Sequence, residues 1–425
     1  MRGRAAFVGL LLLVAGCGSH RRNVLPKVPP LPAPVPGIYA DVTPRYSHDG
    51  KRIAFLRATP DRQMQLYVVD EDLERPLALM EPQLLSIDRP YHATLAGYSS
   101  PESLAWSPND REIAFERTEW FSFEEGELLP GSGIWSFDTY TGRVAPLATH
   151  PDHYLEVYYY YHSPQWSPDS RYLAFVGEGI NGQHTLYVRT LRGQKPEETQ
   201  RLFDVSDDSD WPAWEPRPLR RVGSLSPDGI PPGLAYRRGI NRSTYSPNTE
   251  VLRRLCPGSV EKRSCGQIWK LPVARYTEIT GHAVGKYENV APRFSHLVWS
   301  PDGEHLAFTM TPDARDLTRA EIWVIRRDGT EARRISPTEG HGYFAPVWIG
   351  NDALGALSPR SDLYAVVTIG LRSHTARMLG LIDTADCDWS PDRTRIIYAT
   401  PHPDTPVNGN LPTTLRLFET HLGDT

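Results

Sequence analysis

Residues 299–308 read Trp-Ser-Pro-Asp-Gly-Glu-His-Leu-Ala-Phe: an aromatic residue, a turn, and a short strand with an alanine at its centre. The same plan begins at Tyr46 (YSHDGKRIAF), Trp106 (WSPNDREIAF), Trp166 (WSPDSRYLAF) and Trp389 (WSPDRTRIIY), and in weaker form at Trp214 (WEPRPLRRVG) and Trp348 (WIGNDALGAL). In four of the five strong copies an alanine lies eight positions after the aromatic residue; the fifth has Ile397 there. The starts are 60, 60, 48, 85, 49 and 41 residues apart, a spacing that marks an internal repeat.

The turn has a physical reading. Pro301 presets φ near the value a turn needs, Asp302 bonds its own backbone, and Gly303 tolerates positive φ. The turn therefore ties an innermost strand to a second one. The tryptophan before it is large enough to wedge between neighbouring sheets, where its burial contributes about 1.5–3 kcal/mol, and the alanine fits where two sheets approach closely.

Each unit holds a further strand with an aromatic or leucine centre, beginning at Leu66, Ile134, Leu186, Ile268, Ile322, Leu363 and Leu415. Six intervals offer another, as at residues 75–78 and 334–336. Short β-branched and aromatic runs between Pro, Asp, Gly and Ser clusters read as antiparallel strands, and four strands make one propeller blade. The expected fold is all-β, a seven-bladed propeller over residues 38–425 with four-stranded antiparallel blades. The alternative is six blades, because the Trp214 copy is degenerate. The last repeat lacks an outer strand before Thr425. Residues 38–42 are expected to complete it by pairing with residues 414–419, which would protect an exposed edge.

These units resemble the propeller repeats of the TolB type, and the resemblance covers roughly residues 38–425. It implies the architecture. The same repeat also occurs as an accessory domain of peptidases and in some lyases. The family's type member carries a separate domain before a six-bladed propeller, whereas here the repeats begin almost at once and number seven. The chain therefore reads as a relative and not as TolB itself.

Residues 1–16 read as a lipoprotein signal peptide. Met1–Arg4 is basic, residues 5–14 are apolar, and Leu13-Val14-Ala15-Gly16-Cys17 resembles a bacterial lipobox, which implies lipidation of Cys17. The apolar run is too short to cross a hydrocarbon core of about 30 Å. Two or three acyl chains would hold the mature chain durably on a membrane without spanning it. Gly18, where an Asp would retain the protein at the inner membrane, points to an outer-membrane lipoprotein of the cell envelope. Residues 17–37 carry six prolines, Pro26, Pro29, Pro30, Pro32, Pro34 and Pro36. They form an expected semi-rigid tether of about 50 Å.

Loss of Arg2 and Arg4 takes the formal charge from −5 to −7, which argues against nucleic acid as a partner. With 39 Pro and 33 Gly the chain is loop-rich, as an all-β repeat protein should be. Cys256 and Cys265 flank eight residues of an insertion and are expected to form a disulfide, the alternative being two exposed thiols. Cys387 is expected to be a buried free thiol. No metal-ligand spacing exists among the cysteines.

In such a blade the turns after the aromatic residue lie on one face of the disc. The loops between second and third strands, and the links between blades, lie on the other. The long segments 82–103, 117–132, 146–163, 238–266, 281–296 and 309–320 are expected on that second face. It carries Trp120, Phe121 and Phe123 beside Glu124 and Glu125, Tyr154 before the run Tyr158–Tyr161, and Trp211 after three aspartates. Aromatic residues rimmed by charge suit a protein interface, although alternate tyrosines of the 158–161 run also suit inter-blade packing.

The chain has no Gly-x-Ser-x-Gly elbow, His-Glu-x-x-His motif or phosphate-binding glycine loop, and His150, His153 and His162 are too loosely spaced to define a site. No catalytic residue, metal or cofactor is therefore expected. The functional expectation is a membrane-anchored, non-catalytic scaffold binding another envelope protein. The alternative is a polysaccharide-binding protein or propeller lyase.

Overall fold

The computed structural model describes residues 40–58, 63–70, 76–79, 83–84, 104–122, 128–149, 158–179, 184–191, 199–201, 207–216, 234–240, 251–255, 264–270, 293–311, 317–338, 340–401 and 415–422. Blade 1 is β1 (Ala40–Tyr46), β2 (Arg52–Ala58), β3 (Gln63–Asp70) and β4 (Leu77–Ala78), with β5 (Gln83–Leu84) also on β3. Blade 2 is β6 (Leu104–Trp106), β7 (Glu112–Ser122), β8 (Leu128–Asp138) and β9 (Val144–Ala148). Blade 3 is β10 (Tyr158–Trp166), β11 (Tyr172–Gly179), β12 (His184–Thr190) and β13 (Thr199–Arg201). Blade 4 is β14 (Asp207–Trp214), β15 (Leu234–Ile240), β16 (Val251–Leu255) and β17 (Ser264–Lys270). Blade 5 is β18 (Arg293–Trp299), β19 (His305–Thr311), β20 (Glu321–Arg326) and β21 (Arg333–Arg334). Blade 6 is β22 (Phe344–Ile349), β23 (Ala353–Arg360), β24 (Leu363–Gly370) and β25 (Ala376–Ile382). A closing unit of three strands follows: β26 (Cys387–Trp389), β27 (Arg395–Pro401) and β28 (Leu415–His421).

The repeated turn is held by its own side chains. Ser300 Oγ donates to Asp302 Oδ1 and accepts from the His305 N–H, while Asp302 Oδ1 also accepts from the Glu304 N–H. The same three bonds recur from Ser47, Ser107, Ser167 and Ser390, with Asn109 replacing the aspartate in blade 2. They fix the fourth turn residue at positive φ even where it is not glycine: Asp110, Ser170 and Arg393 have φ of 54°, 56° and 62°. A left-handed non-glycine residue costs roughly 1–2 kcal/mol, which this bonding offsets.

The aromatic residue that precedes each turn packs on the small residue of the preceding unit's second strand. Trp106 shares a core cluster with Ala54, Trp166 with Ala114, Trp214 with Ala174, Trp299 with Ala235 and Trp348 with Ala307. In blade 6 the slot is Gly355, where a Cβ would come within 2.7 Å of the Trp389 ring. In the closing unit it is Ile397, and the aromatic residue it meets is the smaller Tyr46. The indoles also donate across the seams. Trp106, Trp166, Trp214, Trp299 and Trp348 Nε1–H bond the carbonyls of Arg45, Ala105, Gln165, Ala213 and Val298, at 3.0–3.2 Å. Each of those carbonyls belongs to the residue just before the aromatic residue of the preceding unit.

The chain is an all-β propeller whose complete four-stranded blades number six, the alternative count, and not the expected seven. The seventh copy of the repeat forms only three strands among the described residues. Its last strand, β28, runs beside β1 of blade 1, joined to it by one parallel bridge between Ala40 and Leu415 among the described residues. Of the segment expected to pair with residues 414–419, Ala40 does so in that bridge, while Ala40–Val42 are also the start of β1 and pair along β2, Ala40 with Ala58 through Val42 with Leu56. Residues 38 and 39 lie outside the described residues. Segment 238–266 is not a loop, because β16 occupies its middle, and the strand expected as third in blade 4 is the fourth, β17. Residues 117–122 and 128–132 continue β7 and β8 as a hairpin. The insertion in blade 4 falls after the Trp214 turn and displaces the second strand to Leu234–Ile240.

Swapping the closing seam for an ordinary one tests this size matching. Tyr46→Trp should destabilise by about 1–3 kcal/mol through overpacking, and Ile397→Ala by about 2–4 kcal/mol through a cavity. Together, in urea unfolding, they should cost at least about 1 kcal/mol less than their sum. Simple additivity would refute the match.

Candidate functional site

The first strands of the blades contact one another in succession, β1 with β6, β6 with β10, β10 with β14, β14 with β18 and β18 with β22, and β26 returns to β1. They form the wall around the propeller axis. Five of these strands carry a bulge just before their aromatic end, between residues 42 and 45, 162 and 165, 210 and 213, 295 and 298, and 344 and 347. Thr43, Ser163, His296 and Ala345 sit there at φ of 49°, 53°, 51° and 50°. A bulge leaves one residue unpaired and re-aims its side chain. The sequence signal for four of the bulges is a proline two residues before the aromatic, at Pro44, Pro164, Pro212 and Pro346.

The corresponding position in the closing unit is Asp386. Its Oδ2 accepts the Thr43 N–H at 2.7 Å, and Asp388 Oδ2 accepts the Tyr46 N–H at 2.8 Å. Tyr46 Oη–H donates to Glu419 Oε1 at 2.5 Å, and Arg395 bonds the same oxygen at 3.2 Å. Beside them the buried Asp41 takes both Nε and Nη2 of Arg57, at 2.6 and 2.9 Å. The seam whose aromatic residue is Tyr46 is thus lined with ionisable groups. Burial pushes the Asp386 and Asp388 carboxyls up from their usual range, against the pull of Arg45. Burial likewise raises the Tyr46 phenol, and its bond to Glu419 adds to that. Cys387, half-buried and a free thiol, is raised by burial and by the flanking carboxylates.

On the loop face one feature stands out. β7 and β8 are each eleven residues long, whereas the second and third strands elsewhere have five to eight. The hairpin therefore rises about 10 Å above its neighbours, at roughly 3.4 Å per residue. It carries Trp120, paired with Pro130, and Phe121, paired with Leu129. The extended β10 joins it: Tyr160 pairs in parallel with Ser132, and Ser132 Oγ bonds both the N–H and the carbonyl of Tyr161. Two of the aromatic stretches singled out in the sequence are thereby brought into one raised wall. Tyr161 itself is buried against Phe175 and Tyr187, the packing role open to alternate tyrosines of that run. Trp211 lies in β14, the next first strand round the ring, within its bulge. Cys265 lies in β17. Cys17, Phe123, Glu124, Glu125, Tyr154 and Cys256 fall outside the described residues.

Among the described residues no three His, Cys, Asp or Glu side chains gather as a metal site, and no helix is long and apolar enough to cross a membrane. His162 and His184 approach edge to face, 5.6 Å between centroids.

No protein-family model and no curated protein matches the chain. Solved structures do match. An oligogalacturonate lyase in complex with manganese is 12% identical with a TM-score of 0.55, covering 91% of each chain. A puromycin-hydrolyzing peptidase of Mycobacterium tuberculosis is 12% identical with a TM-score of 0.51; 86% of this chain covers 51% of that one. TolB from Acinetobacter baumannii is 15% identical with a TM-score of 0.41, over 80% of this chain and 65% of its own. At these identities the likeness shows the β-propeller fold alone.

His296 gives the axial wall a pH dependence. Burial lowers its pKa from 6.5 to about 4, so the unfolded chain binds a proton that the folded chain refuses between those values. Its contribution to stability is present above pH 6.5 and is lost as pH falls toward 4. Chemical-denaturation midpoints over that range should fall less steeply for His296→Gln than for the parent; parallel curves would remove His296 as the cause.

Proposed function

We propose that the protein is a non-catalytic propeller scaffold, held at a membrane of the bacterial envelope by lipid on Cys17, that binds another protein through the raised loop face of blades 2 and 3. The observation that carries this reading is the β7–β8 extension. Among the described residues the second and third strands are longest there, and Trp120 and Phe121 lie on the extension. Tryptophan and aromatic neighbours supply interface area at low entropy cost, and a ladder of backbone pairs fixes the strands that carry them. The polyproline tether would let the disc stand off the lipid surface and reach a partner beside it.

Cross-linking of intact cells carrying a tagged copy, followed by purification from detergent-solubilised membranes and mass spectrometry, tests it. A stoichiometric partner linked mainly through residues 117–132 is expected, with recovery reduced at least about tenfold by Trp120→Ala together with Phe121→Ala. Recovery of the propeller alone would overturn the reading and favour polysaccharide binding. In the same cells Cys17→Ser should move the protein from the membrane to the soluble fraction; unchanged membrane association would exclude lipid on Cys17 as the anchor.

A further inference from the structure

Four large apolar side chains are exposed among the described residues, and three of them lie on blade 6: Met378 at 57%, Leu381 at 49% and Leu363 at 39%. Register places them on one face. Met378 pairs with Val367 and Leu381 with Ala365, and Leu363 shares the alternation of Ala365 and Val367 along β24. Ala365 and Val367 pack against Ile322, Val324 and Ile335 of blade 5, so the exposed trio continues that seam outward to the rim. It is uncovered because the outer strand of blade 5, β21, has two residues while β25 has seven. β25 also ends its sheet, in the order β22-β23-β24-β25, leaving its outer backbone edge without a strand among the described residues.

The charge around this cleft is polarised. Residues 371–382 contain Arg372, His374 and Arg377 and no Asp or Glu, in a chain of formal charge −5. Arg372 and His374 belong to the turn that leads into β25, whereas Asp362 and Asp383 flank the opposite, loop-face end. From blade 5, Arg333 pairs with Val324, a member of the shared core, and so points into the same cleft. Arg333, Arg372 and Arg377 are exposed and make no ion pair with the described residues.

We propose that the blade 5–blade 6 rim is a docking site for an extended acidic polypeptide segment of a partner protein. The segment adds to β25 as a fifth strand and lays alternate apolar side chains on Leu363, Met378 and Leu381. The carboxylates between them project to the opposite face, where Arg377 lies by its pairing with Thr368, and Arg372 stands at the turn end of the strand. Backbone pairing provides attachment, and the apolar stripe with its basic turn-face end provides specificity. The usual devices that blunt an edge, a very short strand or an inward charge, are used in β4, β13 and β21 and not here. This site lies apart from the β7–β8 wall, so either proposal stands or falls without the other.

Three fluorescent nine-residue probes test it on the full chain by anisotropy: alternating Val and Glu, alternating Val and Lys, and the Val/Glu peptide with alternate amides N-methylated. The Val/Glu probe is expected to saturate, with affinity at least tenfold above the Val/Lys and the N-methylated probes. Met378→Asp with Leu381→Asp should weaken it at least tenfold, and Arg372→Glu with Arg377→Glu should reverse the charge preference. All four positions are exposed, and unchanged tryptophan fluorescence and circular dichroism will certify folding. Absence of saturation, equal binding of the N-methylated probe, or indifference to both double variants would overturn the proposal. So would a concentration-dependent dimer abolished by Met378→Asp with Leu381→Asp, which would assign the rim to a second copy of the chain.

Discussion

The structure depends on a single steric contact, a large aromatic ring at the end of one innermost strand laid over a small residue in the preceding unit's second strand. Sheets of a propeller approach most closely near the axis, and a seam that is too full or too empty there changes the angle between blades. The chain meets this constraint by matching sizes. Five seams combine Trp with Ala; Trp389 faces Gly355, and Tyr46 faces Ile397. Close-packed interiors tolerate changes that conserve volume, and the pairing of a lesser ring with a greater aliphatic is such a change.

The hydrogen bond that accompanies the five Trp–Ala contacts gives the ring a direction. The indoles of Trp106, Trp166, Trp214, Trp299 and Trp348 donate backward, to the carbonyl beside the previous aromatic residue, so these blades are joined head to tail. Where the two ends of the ring meet, tyrosine has no indole to offer. Carboxylates of β26 take over, accepting backbone N–H groups of β1, and Glu419 holds the phenol. Buried acceptors must find donors, and here the donors are the N–H groups of a bulged strand whose ladder is locally interrupted. The bulge, the proline after it and the acidic closing strand are thus parts of one arrangement.

Much of this was legible in the residues. The Ser-x-Asp turn, the wedge and the small slot appear at fixed offsets, and the offset reflects the geometry of a tight turn between two strands. Legibility failed where an offset was broken. After Trp214 the next strand is displaced, yet Leu234-Ala235-Tyr236 has the apolar-Ala-aromatic form, so the motif survives where the spacing does not. The β7–β8 hairpin reads as a loop in the sequence because residues 117–132 separate two recognisable strands, and nothing in their periodicity extends either strand into them. Pairing of Tyr160 with Ser132 is non-local and leaves no periodic trace. The exposed rim of blade 6 could not be read from β25 at all, since it results from the brevity of a strand in a different blade.

The interchangeable seams have a consequence for how such a chain can change in length. An interior repeat duplicated between Trp106 and Trp348 would meet its neighbours through Trp on Ala at both sides, with the indole already facing an available carbonyl. A repeat appended at either terminus would instead confront Tyr46 or Ile397 with a partner of the wrong bulk and leave Asp386 and Asp388 without their donors. Growth or loss of units is therefore permitted within the ring and penalised at its ends, and the join between first and last units acts as the fixed point of the lineage.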